Sequence, residues 1–268
     1  MDRIKKAWIN IGLFIITLAI NTLGALGFIN GYTQKQISDM YVTLITPSPM
    51  TFSIWSVIYT LLLISLIALI VKREDSYYGA VLDRVSLLFW ISCIFNIAWI
   101  VSFSFVLVEI SVVFIVAFVI TLALICQQLL KLQDKRRRLL PITFGFYTGW
   151  LTIATVVNIA AALVKVKWDR FGIAEEIWAI AMLVVAVVLV ALILLRIRNA
   201  AYPLPLAWAY LGIYLYLSSP DGFNGAYGIL QIVALAGMVV LIGLAAIQFY
   251  RNRYCVLPIQ SSGAKRSK

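Results

Sequence analysis

Long, nearly unbroken runs of apolar residues, separated by short polar or charged stretches, dominate the chain. Eight such runs stand out, at roughly 8–30, 52–71, 85–106, 108–130, 141–164, 176–195, 201–218 and 226–249. About 20 apolar residues in a helix cross the hydrocarbon of a bilayer. The period-2 alternation of a membrane barrel is absent. A lipid-exposed backbone must satisfy its own hydrogen bonds, so each run is expected to be a helix. The block 85–130 is apolar for 46 residues except at Glu109. As one helix it would be about 69 Å long, more than twice the hydrocarbon thickness. It must fold back, and Glu109 places the turn near 106–109, where a carboxylate suits a helix N-terminus. The expected fold class is all-α: a polytopic membrane helix bundle of about eight transmembrane helices.

Composition agrees. Of 268 residues 63% are hydrophobic and 12% charged, and the mean hydropathy is +0.99; soluble domains are about half apolar and a quarter charged. The net charge of +11 would suggest nucleic acid in a soluble protein, but here the basic residues sit beside helix ends and form no single face. Eighteen of the 22 Lys and Arg lie before the first run, in 72–84, 131–138 and 196–198, or after 250. The alternate loops hold only Lys35, Lys165, Lys167 and Arg170. This asymmetry is the positive-inside signal. It puts both termini in the cytoplasm and requires an even number of spans. The block "KLQDKRRR" reads as a topology anchor facing anionic head groups. The N-terminal apolar stretch exceeds a signal peptide's h-region and reads as a retained first helix.

Histidine is absent, which removes His-ligated haem, most zinc sites and every Ser-His or Cys-His dyad. No Gly-rich nucleotide loop is present. Of the three cysteines, Cys93 and Cys126 fall within spans and Cys255 in the tail, so no disulfide framework is implied. No span has a charge near its centre, where ion-coupled transporters keep one. Asn21, Asn96, Asn158, Gln127, Gln128 and Gln231 carry the deep polar atoms, and interhelical hydrogen bonding is their plainest role.

The asparagines have aromatic neighbours. Trp150, Ala154 and Asn158 follow at i, i+4, i+8 and share a face of the fifth span. Asn96, Trp99 and Phe103 do so on the third, and Trp55 and Tyr59 on the second. With the N-terminus inside, Asn21, Trp55, Trp99 and Asn158 fall in the outer half of the membrane and Trp150 near its middle. The loop 31–51 leaves on that side and is long enough to lie across an opening there. Aromatic walls with few polar groups suit a flat, apolar ligand. Trp8, Trp168, Trp178, Tyr202 and Tyr250 read instead as interface markers.

Over residues 1–164 the chain resembles the TspO/translocator-protein family of tryptophan-rich sensory proteins. In order come "NTLGALGF", "TPSPMTFSIWSVIYTLL", "FNIAW", "VEISVVF" and "YTGWLTIATVVN". The resemblance implies a five-helix bundle that binds porphyrins, haem-type pigments, sterols or isoquinoline-like drugs beneath the first loop. It implies a site lined by Ala25, Trp55, Asn96, Trp99, Trp150, Ala154 and Asn158, with Trp150 stacking on the ligand and Asn158 hydrogen-bonding to it. A sterol-type motif would need a tyrosine where this chain reads "LVKVKWDR", which weighs against animal-type cholesterol binding. Family members usually stop after the fifth helix. The domain reading is therefore 1–164 as the TspO-like unit, 165–250 as a three-helix transmembrane extension and 251–268 as a basic cytoplasmic tail, disordered after Tyr254. The extension is either an accessory module or a wall of the site, with Tyr210 and Tyr214 as the candidate wall.

The function expected is binding of a flat apolar ligand for sensing, sequestration or transport. The alternatives are a secondary transporter of a small apolar solute using the last three helices, and a porphyrin-degrading photoenzyme. No catalytic residue or metal ligand is expected and no cofactor is required, with a porphyrin or haem-type molecule as the ligand candidate. The expected partners are the lipid bilayer and a small hydrophobic ligand, with a homodimer left open and nucleic acid excluded. The expected location is the cytoplasmic membrane of a bacterium.

Overall fold

The computed structural model describes residues 1–133 and 137–259. The helices are α1 (Arg3–Ala25), α2 (Gln34–Met40), α3 (Ile54–Val71), α4 (Ser76–Ser104), α5 (Val108–Leu132), α6 (Leu139–Lys165), α7 (Glu175–Ile197), α8 (Leu204–Ser218) and α9 (Gly228–Arg251). There is no strand among the described residues. Each apolar run has become a helix, and α2 is a short addition in the first loop. Residues 134–136 of the basic block and 260–268 of the tail lie outside the described residues.

The helix ends follow local chemistry. Asp75 caps α4, accepting from the backbone N–H of Tyr77 at 2.9 Å. That lets α4 begin at Ser76, nine residues before the apolar run, so Asp83 is helical and pairs with Arg3 and Lys6. The predicted reversal after the third span falls at residues 105–107, with Val106 at φ 61°. Lys165 closes it, donating to the Val106 carbonyl at 2.7 Å and pairing with Glu109 at 2.6 Å. In the first loop Thr33 and Gln36 form a reciprocal capping box that starts α2, satisfying two N–H groups that a helix start leaves open.

The centre of the bundle is α6. Sixteen of its 27 residues are buried, against six of 23 in α7. It packs on α3, α5, α7 and α8.

Among the described residues seven helices are long and apolar enough to span a membrane, and α8 is not. Its 15 residues cover about 22 Å, short of the roughly 30 Å core. The expected helix start at 201 gives way because residues 198–203 run non-helically along α6. Non-helical backbone buried among helices needs protein groups to meet its hydrogen bonds. Here Asn199 donates to the Pro141 carbonyl at 2.7 Å and accepts from the Ala201 N–H at 2.9 Å. Asn252 donates to the Arg198 carbonyl at 2.9 Å, and the Ala200 N–H reaches the Val256 carbonyl at 2.9 Å. Tyr202, wholly buried, meets the Thr152 hydroxyl at 3.1 Å. Tyr202 is therefore a core residue and not the interface marker its position suggested.

The same contacts correct the reading of the tail. Beyond Tyr254 the chain folds back, with Cys255 and Leu257 buried, because Val256 is needed by the 198–203 segment.

Close approach depends on α6 glycines. A Cβ at Gly149 would overlap the Tyr202 carbonyl oxygen, whereas one at Gly243, on α9, meets nothing within 4 Å. Gly149→Ala should therefore lower stability by about 1–3 kcal/mol through overpacking. Gly243→Ala should be neutral or stabilise by up to about 1 kcal/mol through helix propensity. Thermal unfolding in detergent micelles checks both, and equal shifts would contradict the packing described.

Candidate functional site: an aromatic cavity under the first loop

A cavity of about 1040 Å³ lies between α1, α3, α4, α6 and α8. It sits toward the end of the bundle away from the basic loops. The 33–49 segment lies over it, with Gln34, Lys35, Ser38, Asp39, Val42 and Thr46–Pro49 on the cavity side. That segment is anchored by its apolar residues. Ile37 packs with Val108 and Ala161 at the ends of α5 and α6, and Leu44 and Ile45 line a small cavity of about 40 Å³ together with Trp178 and Met182 of α7. The Ser48 N–H bonds the Gly212 carbonyl at 3.0 Å, and the Trp208 Nε1–H bonds the Thr51 carbonyl at 2.9 Å.

Trp55 is the hub of the wall. Its ring stacks on Tyr59 at 5.2 Å and 21° and lies 6.3 Å from Trp99. It meets Trp150 edge-on at 6.2 Å and 84°. Phe52 closes on Trp150 from the other side at 5.9 Å. Aromatic pairs in these geometries add about 0.5–1.5 kcal/mol each beyond area burial, so the wall is formed without a ligand.

Hydrogen bonds behind the rings fix their angles. The Trp99 Nε1–H donates to Asn158 Oδ1 at 2.9 Å, and the Asn158 amide donates to Ser111 Oγ at 3.0 Å. Asn21 donates to Asn96 Oδ1 at 2.6 Å, and Asn96 donates to the Tyr147 hydroxyl at 3.0 Å. One set ties α4 to α6 and α5, and the other ties α1 to α4 and α6.

Of the residues read from the sequence, Ala25, Trp55, Trp99, Trp150, Ala154 and Asn158 line the cavity. Asn96 does not. It is fully buried one layer back, between Asn21 and Tyr147. Asn158 reaches the wall with its hydrogen bonds already committed to Trp99 and Ser111. Among the lining residues the Trp150 indole N–H and the Gln34 side-chain amide are buried without a hydrogen-bond partner. A buried donor left unpaired costs about 1–3 kcal/mol, a cost the packing around these groups has to offset.

Four wall residues come from the last part of the chain: Ala209 and Tyr216 of α8, and Ser219 and Asp221 beyond it. Sequence reasoning pointed to the tyrosines of this helix but to the wrong ones. Tyr210 is buried away from the cavity, donating to the Leu183 carbonyl at 2.6 Å and packed on Gly237 of α9. Tyr216 takes the wall position. Only Gly212, where a Cβ would overlap the Thr51 hydroxyl, hinted that this helix approaches the first loop.

At the mouth Lys35 pairs with Asp39. Its ammonium pKa is raised, first by that hydrogen bond and further by the nearby Asp39 charge and Tyr216, with burial opposing. Among the described residues no three His, Cys, Asp or Glu side chains cluster as a metal site. What the cavity offers is aromatic rings and a polar rim.

The fold and site define a polytopic membrane helix bundle enclosing an aromatic cavity. The chain belongs to the TSPO-like protein family, whose model matches residues 7–247 and so runs through α7, α8 and most of α9. No curated protein and no solved structure matches it significantly.

Proposed function

We propose that this protein binds a flat, largely apolar ligand, a tetrapyrrole or a molecule of similar shape, in the aromatic cavity, for sensing, sequestration or transport. The observation that carries this reading is the set of three tryptophans, Trp55, Trp99 and Trp150, around one large cavity in a TSPO-like chain. The aromatic rings give stacking area, and the absence of deep charge suits an uncharged ring system. A second reading, a transporter of a small apolar solute whose path uses α7–α9, is supported by the cavity positions of Tyr216, Ser219 and Asp221.

The basic loops are proposed to face the cytoplasm, with both termini there and the cavity mouth on the opposite side. Reporter fusions at Lys35 and Lys268 should then report opposite sides of the membrane, and a shared side would overturn this orientation.

Titration of tryptophan fluorescence with protoporphyrin IX tests the ligand reading. Trp150→Ala should weaken binding about 5- to 150-fold, the equivalent of about 1–3 kcal/mol of ring stacking. Trp8→Ala, at an exposed position in α1, should leave it unchanged. Equal losses at the two positions would sink the assignment.

A further inference from the structure

At the end of the bundle away from the cavity, α7 and α9 pack together and finish side by side. The Asn252 amide ties the two ends, donating to the Arg198 carbonyl at 2.9 Å. Arg196 and Arg198 lie at one end of that bond, and Arg251 and Arg253 flank the other. All four arginines are exposed, and none makes an ion pair or a side-chain hydrogen bond among the described residues. Other bases at this end are paired: Arg3 and Lys6 with Asp83, Arg73 with Glu74, and Arg137 with Asp75. No such partner is close in sequence, because residues 177–268 hold a single acidic side chain, Asp221 beside the cavity mouth.

Two general roles do not account for this cluster. A helix C-terminus favours a nearby cation, but one per helix would serve, and these guanidinium groups bond no helix carbonyl. The positive-inside rule asks only for charge, which lysine supplies equally. Yet no lysine occurs between Lys167 and Lys265. Arginine without lysine is the choice that suits planar, bidentate recognition of phosphate.

The surroundings say what carries the phosphate. Leu192 and Leu195 on α7, and Ile247 and Phe249 on α9, are exposed apolar side chains within about a turn of the arginines. Acyl chains therefore lie against them. Tyr250 and Tyr254, both exposed and with rings 5.9 Å apart, mark the level of the head groups. A phosphate held here has hydrocarbon directly beneath it.

We propose that the ends of α7 and α9 form a binding site for an anionic phospholipid. The guanidinium N–H groups of Arg196, Arg198, Arg251 and Arg253 donate to the phosphodiester oxygens. The lipid bridges the same two helix ends that Asn252 ties, and so stabilises the last three helices whether or not the cavity is filled.

Thermal unfolding of the full chain in dodecyl maltoside micelles tests this, with dioleoylphosphatidylglycerol, dioleoylphosphatidylcholine or soluble glycerol 1-phosphate added. A ligand that binds only the folded state raises Tm with its concentration. The phosphatidylglycerol should do so saturably, and the other two should not. Arg198→Gln with Arg253→Gln should weaken its apparent affinity about 25-fold, or about fivefold per arginine. Arg198→Lys with Arg253→Lys keeps the charge and should still weaken it. Lys5→Gln with Arg84→Gln removes the same charge from exposed positions at this end and should leave it unchanged. Tm without added lipid shows that each variant folds. If the two glutamine pairs lose equally, or the lysine pair binds as the parent does, the attraction is to a basic surface in general and the site is wrong. No rise with phosphatidylglycerol, or an equal rise with glycerol 1-phosphate, would also overturn it.

Discussion

Two apolar helices in a bilayer gain nothing from hiding their side chains from lipid, so something else must decide which faces meet. In this protein the deciding contacts are the hydrogen bonds between asparagines and aromatic rings. Asn158 takes the Trp99 indole proton and gives its own amide proton to Ser111, so α4, α5 and α6 can meet in only one register. Asn96 between Asn21 and Tyr147 does the same for α1, α4 and α6. Each such bond is worth only about 0.6–2 kcal/mol in a membrane. Slipping a helix by one residue would break several together and strand their polar atoms in hydrocarbon. The cavity follows from this. With the asparagines fixed and the indoles bonded or stacked, the ring faces line a space that α6 cannot fill.

The last three helices are joined to that arrangement through backbone. The 198–203 segment passes so close to α6 that only glycine fits at 149, and its polar groups are met by Asn199, Asn252 and the returning tail. This brings α8 beside the first loop, where Thr51 and Ser48 bond to Trp208 and Gly212. The cavity wall is thus composite, with tryptophans from the first 164 residues and part of the rim from beyond them.

The sequence made much of this legible, and the parts it hid share a cause. Apolar runs located the helices because the span length is set by the solvent. The lone Glu109 located the reversal, since it pairs with Lys165 at the helix ends. Helical spacing put Trp150, Ala154 and Asn158 on one face, and the cavity lies on that face. Spacing could not say that Asn96 turns toward Tyr147, because that depends on a neighbour 51 residues away. Nor could hydropathy show that residues 198–203 are non-helical. A buried unwound segment is as apolar as a helix, and only its partners distinguish them. Tyr216 was hidden for the same reason: its role is set by where α8 sits on α6.

The central claim is that one cavity, walled by both parts of the chain, receives a flat ring. Photoaffinity labelling with an azido-substituted acridine, followed by mapping of the modified peptides, tests it most directly. Labels should fall on peptides carrying Trp55, Trp99 or Trp150 and on the peptide carrying Tyr216, and excess unlabelled acridine should suppress all of them. Labels confined to the exposed face of α9, or to Trp168 and Trp178 at the helix ends, would contradict the account.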